Sequence, residues 1–433
     1  MQVSVESTSK LERKMTVEVP SERIDVEVEK RLRSMAGRVR IDGFRPGKVP
    51  FQVVKQRYGQ GVYQEVLGQV VEETYREAIV NQRLRPAGSP QIEAQAMEPG
   101  KALAYVATFE VYPEFELAGV DDLQIARPKA EVTEADVDAM IETLRKQRTR
   151  FEAVERPAQD GDRVTIDFEG RQDGVPFEGG KGEAVPVVLG QGRMIKDFES
   201  QLVGAVAGEE KTIDVTFPDD YHAESLAGKT VQFTIKTREV AEPRLPEVDE
   251  AFAQSFGVKE GSIEGLRTEV RNNMERELAQ AIKAKVKGQV MDGLRAKNTP
   301  DLPKALIAEE IGRLRAQMNA QFGGAESSQQ LPDALFEEEA SRRVALGLII
   351  AELIKSQGIK VDRERVEAAL KEMASTYEDP QQVIDYYRRN PQAMAQIEAL
   401  VVEEQVVDWV LAHAQVQDED TSFDALMNPG KGE

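Results

Sequence analysis

The chain has 433 residues, room for roughly three domains of ~150 residues each. Its 56 basic and 77 acidic side chains leave a net charge of −21, which argues against a protein that coats nucleic acid over its whole surface. With no cysteine and only two histidines, His222 and His413, disulfides, thiol catalysis, cysteine-ligated metals and a histidine triad are excluded.

The first twenty residues alternate and carry charge without an apolar core, so no secretory signal is expected. No run approaches the ~20 apolar residues of a membrane span. A soluble, cytoplasmic chain with no membrane partner is the expectation.

In chain order, Lys14–Val19 alternates and predicts a strand. A helix follows, with Ser21 as its expected N-cap, Ile24, Val28, Leu32 and Met35 at helical spacing, and an end near Gly37. Residues 43–50, Gly-Phe-Arg-Pro-Gly-Lys-Val-Pro, hold two glycines and two prolines and must form a loop. Phe51 to about Arg83 predicts another helix, broken near Tyr58–Gly61, and Ala102–Tyr112 predicts a strand that closes a first unit, 1–112. Between Lys30 and Arg57 nine basic residues face a single acid, Asp42. Such a contrast suits a docking surface for a polyanion, or a solvated basic helix with no partner.

Residues 113–150 predict a connector, with an extended piece and then a helix capped by Thr133 that runs to about Arg150. Residues 151–245 change character. Short β-like runs at Arg163–Phe168, Ala184–Leu189, Glu210–Phe217 and Thr230–Val240 surround one short helix, Met194–Leu202, as in a small antiparallel α+β domain. From 246 to 433 the periodicity is helical, with helices expected at 247–256, 262–297, 302–322, 332–356, 362–376, 380–388 and 391–414. The narrow stripe Leu266, Val270, Met274, Leu278 and Ile282 suits a protruding arm as well as a bundle. Met274, Met291, Met318, Met373 and Met394 are either core or an adaptable binding surface. Gln415–Glu433, with five acids and one lysine, reads as a frayed acidic tail. The fold class is therefore multidomain α+β.

The middle domain offers no nucleophile–base set. It distributes Phe168, Phe177, Val187, Ile195, Phe198, Tyr221 and Phe233 over its strands and helix, and composition alone does not separate a core from a pocket. No phosphate-binding Gly-x4-Gly-Lys-Ser/Thr loop is present, and Glu337–Glu339 reads as a solvated face, so no nucleotide, metal or other cofactor is expected.

Asp160–Gly170, Phe177-Glu178-Gly-Gly, Val188-Leu-Gly190, Met194–Glu199 and Phe217–Tyr221 together resemble the FK506-binding-protein type of peptidyl-prolyl isomerase. The whole chain resembles the bacterial trigger factor family, and Gly43–Pro50 matches that family's Gly-Phe-Arg-x-Gly-x-x-Pro loop. The resemblance implies an amino-terminal α+β ribosome-docking domain, an FKBP-like antiparallel-sheet isomerase domain, and an all-helical carboxy-terminal domain with arms. It implies an ATP-independent chaperone that binds nascent and unfolded polypeptides and catalyses cis/trans isomerisation of X–Pro bonds. Docking would use Phe44, Arg45, Gly47, Lys48 and Pro50 against rRNA phosphates and ribosomal protein of the large subunit, near the exit tunnel. Pro46 stands where many relatives carry a basic residue. The isomerase pocket would comprise Phe168, Phe177, Ile195, Phe198, Tyr221 and Phe233. Glu178 stands where single-domain relatives usually have aspartate, and Phe198 where they often have tryptophan. Self-association of the free chain stays open. Two other readings remain: an isomerase chaperone that does not bind ribosomes, against which the loop at 43–50 argues, and an interaction protein whose FKBP-like module is inactive.

Overall fold

The computed structural model describes residues 1–42, 44, 49–96, 100–172, 174–219, 221, 223, 226–258, 261–322, 331–375, 377 and 379–429. The chain divides into two compact units, each discontinuous in sequence: Met1–Arg127 with Ala284–Asp418, and Pro128–Lys283 with Glu419–Glu433.

The chain begins with β1 (Gln2–Ser7), β2 (Glu12–Val19), α1 (Ser21–Ala36), α2 (Phe51–Asn81), β3 (Gln91–Ala96) and β4 (Leu103–Glu110). The strands form an antiparallel sheet in the order β1-β2-β4-β3. Alternation on β2 and β4 turns Met15, Val17, Val19, Leu103, Tyr105 and Phe109 into one core, which Ile24 and Leu32 of α1 and Val54, Val62 and Val66 of α2 complete. Two buried hydroxyls of this core satisfy each other, Tyr105 Oη lying 3.0 Å from Thr74 Oγ1, whereas the buried Tyr75 Oη has no hydrogen-bond partner among the described residues. Two expectations fail here. Ser21 is the first helical residue rather than a side-chain cap, because Pro20 occupies the cap position of α1. And α2 runs unbroken through Gly59 and Gly61, because eight buried residues along it, against a cost of about 1 kcal/mol per glycine, decide the conformation.

Next come β5 (Gln124–Lys129), α3 (Glu134–Gln147), β6 (Arg150–Val154), β7 (Arg163–Gln172), β8 (Val175–Val188), α4 (Lys196–Leu202), β9 (Glu210–Thr216) and β10 (Thr230–Arg244). Thr133 caps α3 as expected, in a reciprocal capping box with Asp136. The helix stops at Gln147, and Arg150–Val154 is a strand that pairs with Val240–Arg244. The sheet order is β6-β10-β7-β8, with β9 also on β10, so the 15-residue β10 is the spine: its first half pairs with β9 and its second with β6. α4 lies over this sheet through Phe198 and Leu202.

The remaining elements are α5 (Glu250–Ser255), α6 (Ile263–Lys297), α7 (Lys304–Phe322), α8 (Ala334–Gln357), α9 (Arg363–Ala374), α10 (Pro380–Arg389), α11 (Pro391–His413), β11 (Gln415–Asp420) and α12 (Phe423–Met427). The stripe on α6 is buried rather than free, for Leu266, Val270, Met274 and Leu278 pack with Val137 and Ile141 of α3, Phe252 of α5 and Phe423 of α12. The carboxyl end of α6 and the residue after it grip the backbone of β5 and of the segment before it. Asn298 accepts the Ala118 N–H (2.9 Å) and donates to its carbonyl (3.2 Å), and Gln289 does the same at Ala126 (2.8 and 2.7 Å). Met274 and Met291 are buried, which removes both from any binding surface.

Through residue 429, the described part of the acidic tail is not frayed. β11 pairs with β5, Arg127 holds Asp418 at 2.7 Å, and Phe423 is buried. Its charge hid two apolar anchors, Val416 and Phe423, spaced among carboxylates that face outward.

Candidate functional site

Four of the expected pocket residues form one aromatic cluster. Phe233 of β10 sits at its centre, edge-on to Phe198 (5.4 Å), Phe168 (6.0 Å) and Phe177 (6.1 Å). Each such pair contributes about 0.5–1.5 kcal/mol beyond its area burial. Tyr221 joins through Phe217, whose ring is 4.7 Å from Tyr221 and 6.4 Å from Phe233. Phe198 (2% exposed), Phe233 (5%) and Phe217 (5%) make a closed floor, while Phe168, Phe177, Ile195 and Tyr221 are half-buried around it. Glu178 lies on β8 beside Phe177, and its side chain falls outside the described residues.

Residue-type reasoning missed three glycines beneath the rings. A Cβ at Gly170 would sit 2.6 Å from the Phe233 ring and 2.7 Å from Phe177, one at Gly180 2.9 Å from Phe177, and one at Gly182 2.5 Å from Phe168. The rings lie flush against bare backbone, and the only sequence signal was glycine at strand positions where an alternating side chain was due. Phe217, on the floor, was read as part of a motif and not as a site residue.

Two carboxylates hold the frame. Glu199 of α4 is buried, and it accepts the backbone N–H groups of Gly190 (3.1 Å), Gly192 (3.3 Å) and Met194 (3.0 Å), fixing the turn that delivers Ile195. Asp162 is also buried. It takes both Nη atoms of Arg156 (2.6 and 3.0 Å) and the Gln159 N–H (2.8 Å). The Arg156 hydrogen bonds, with help from that N–H, hold the Asp162 carboxyl below its ordinary range.

In the amino-terminal domain the expected docking loop joins α1 to α2. Arg45, Gly47 and Lys48 lie outside the described residues. The flanks are firmly seated, with Ile41 and Val49 both buried in the core and Pro50 at the cap of α2. Between them Phe44 is 39% exposed, an apolar ring presented to solvent. The basic count at 30–57 overstates the local field. Lys30, Arg31 and Arg33 pair with Glu27, Glu65 and Glu29, all acids outside that window. Arg38, Arg40, Lys55 and Arg57 are exposed, and among the described residues no carboxylate pairs with them.

A family model described as bacterial trigger factor protein matches residues 1–144, and one for the trigger factor C-terminus matches 262–412. Between them an FKBP-type peptidyl-prolyl cis-trans isomerase model matches 154–238. The trigger factor of Thioalkalivibrio sulfidiphilus is 60% identical over 431 residues, covering all of this chain and 99% of the relative. The chain belongs to the trigger factor family. The trigger factor of Stutzerimonas stutzeri is 54% identical at the same coverage. Among solved structures, one described as "Promiscuous Substrate Recognition in Folding and Assembly Activities of the Trigger Factor Chaperone" shares the fold. It has a TM-score of 0.50 and 19% identity, over 95% of this chain and 99% of that one. As a trigger factor family member the chain is a ribosome-associated chaperone that binds unfolded polypeptides, and its FKBP-type domain is a peptidyl-prolyl cis-trans isomerase. Among the described residues no helix is long and apolar enough to cross a membrane.

Proposed function

We propose that X–Pro segments of unfolded chains bind against Phe168, Phe177, Ile195, Phe198, Tyr221 and Phe233, with Glu178 beside Phe177 at the rim, and isomerise there. The single observation that supports this is the closed aromatic floor with a half-buried aromatic rim. Rotation about X–Pro must break amide resonance, with a barrier near ~20 kcal/mol. The planar amide is the more polar form, so an apolar surface that admits the proline ring favours the twisted one. A hydrogen bond at the Tyr221 edge assists it. No proton changes hands, so the absence of a nucleophile–base set is no obstacle. Phe233→Ala and Tyr221→Phe variants in a proline-limited refolding assay test the assignment. Loss of rate enhancement in the first and partial loss in the second support it, whereas full activity in Phe233→Ala overturns it.

We further propose that Phe44, Arg45, Gly47, Lys48 and Pro50 form the ribosome contact. Phe44 serves as an apolar anchor, and the loop's basic residues, with Arg38, Arg40, Lys55 and Arg57, lie against rRNA phosphates and an acidic protein patch. The functional division would be docking by 1–112, connection by 113–150, isomerisation by 151–245 and client holding by 246–433, in the cytoplasm. An apolar groove of about 760 Å³ between α8 and α11, with Leu400 and Val361 exposed on it, supports the last role. Self-association when ribosomes are absent fits the exposed edge strand β3. Co-sedimentation with salt-washed ribosomes at two ionic strengths tests the docking assignment. Binding by the wild type, weakened by salt and lost in a Phe44, Arg45, Lys48 triple alanine variant, is the expected result, and equal binding by both proteins overturns it.

A further inference from the structure

A cleft of about 580 Å³ lies within the Met1–Arg127 and Ala284–Asp418 unit, and none of its lining residues belongs to 41–51. Its floor is Leu11, Leu84 and Val111, held by the Val111 N–H on the Leu11 carbonyl (2.9 Å) and the Tyr112 N–H on the Arg85 carbonyl (3.0 Å). Around the floor stand Lys10, Arg13, Arg83, Arg85 and Lys355, against Glu114, Asp301 and Glu352. Two of those acids are already committed, Asp301 to Lys10 (3.3 Å) and Glu352 to Lys355 (3.0 Å). The three arginines are not ion-paired among the described residues. Arg13 donates to the carbonyls of Ser9, Lys10 and Glu12, and Arg85 lies 5.4 Å over the Tyr112 ring. In a chain of net charge −21, a cleft with an excess of guanidinium charge that no carboxylate pairs among the described residues selects negative ligands.

Arg83 carries a second signal. It follows the C-cap of α2 with φ +53°, in the left-handed region where glycine is the inexpensive choice. An L-residue there costs about 1 kcal/mol or more. Offsetting the negative end of the α2 dipole would need one cation. Arg85, two residues on, doubles the charge on the same cleft.

We propose that this cleft binds an acidic, extended segment of an unfolded polypeptide. The guanidinium fork matches a carboxylate in two parallel hydrogen bonds. Glu114, with no ion pair among the described residues, interrupts the positive lining and disfavours the unbroken charge of a phosphate polymer, while Leu11, Val111, Pro113 and Phe115 suit the apolar side chains that alternate with acids in a peptide. The inference rests on the chain's binding of unfolded polypeptides and adds a chemical class of client segment and a place for it.

The test uses the full-length chain and the fluorescence anisotropy of labelled peptides of alternating Glu and Leu, with Gln-for-Glu and Lys-for-Glu counterparts. The Glu peptide is expected to bind most tightly at low salt and to weaken as salt rises. An Arg83→Gly, Arg85→Gln double variant is expected to weaken the Glu peptide about five- to tenfold and leave the Gln peptide unchanged. Arg83→Gly relieves the backbone conformation, so a thermal melt at or above that of the wild type confirms that the loss is not one of folding. Equal affinity for Glu and Gln peptides, or a variant that binds the Glu peptide as the wild type does, overturns the proposal. A polyphosphate that displaces the Glu peptide more effectively per charge than polyglutamate does overturns the peptide assignment. Suppression of aggregation of an unfolded client by the wild type is measured alongside: if it persists without a Glu preference, only the cleft proposal falls, and if it too is absent, the unfolded-chain reading falls with it.

Discussion

Glu199 accepts the Met194 backbone N–H at 3.0 Å, and this places Ile195 beside the aromatic floor. The same carboxylate holds Gly190 and Gly192, so one side chain of α4 satisfies three donors that would otherwise be left without partners. Glu199→Ala is expected to destabilise the FKBP-type domain by about 1–3 kcal/mol. It is also expected to lower isomerase kcat/KM by roughly tenfold through loss of positioning. Glu199→Gln, which keeps a carbonyl acceptor, should recover part of both. Urea titration and a proline-limited refolding assay measure the two effects. An Ala variant with unchanged kcat/KM would remove Glu199 from the positioning of the site.

Gly182→Ala is a sharper test of the aromatic wall. The added methyl would stand 2.5 Å from the Phe168 ring and 2.8 Å from a Val185 methyl, so Phe168 must move. Overpacking of this kind costs about 1–3 kcal/mol. Isomerase activity should fall while ribosome co-sedimentation is retained, because the loop proposed to dock belongs to another part of the chain. Unchanged activity would show that Phe168 is not needed where it stands.

Stability in acid should report on Asp162. Its carboxyl titrates below its ordinary value, mainly through the Arg156 hydrogen bonds. A group depressed in the folded state stabilises above its unfolded value of ~3.9, and that contribution disappears as pH falls through the lower folded-state value. Asp162→Asn is therefore expected to be less stable than the wild type at neutral pH, and the difference should narrow below about pH 4. Denaturant midpoints for both proteins across pH 7 to pH 3 check the sign; a gap that widens in acid would contradict it.

Phe423 is the test of the carboxyl terminus. It is buried against Val137, Leu266, Val270 and Met274, so Phe423→Ala should cost about 3–5 kcal/mol. Deleting 415–433 should do at least as much damage. Had the segment been a solvated tail, neither change would shift the thermal midpoint.

Helices 262–297 and 391–414 were legible from their length, an apolar stripe on part of the first and Pro391 at the start of the second, the helix at Thr133 from its cap, and strands of the middle domain from their short β-like runs. The aromatic set was legible as residues, but residue type alone does not give the ring geometry that divides it into a buried floor and a half-buried rim. What the sequence hid has physical causes. Gly59 and Gly61 suggested a break that burial on α2 overrides. Gly170, Gly180 and Gly182 act by what they lack, and an empty position has no periodicity to detect. The tail misled because net charge was read where burial of Phe423 decided the structure, and most of the partners of Phe423 lie far upstream.

The ribbon of β5 and β11 joins residues 291 positions apart, as in the pair Arg127 and Asp418. During synthesis the β5 side emerges early and must wait, without a partner strand, until residues 415–420 have been made. Contacts of such long span are slow to form, since the intervening loop must first be closed. A protein that attends the birth of other chains thus cannot close this part of its own fold until β11 has been made, and a molecule stalled short of residue 415 would lack its clasp.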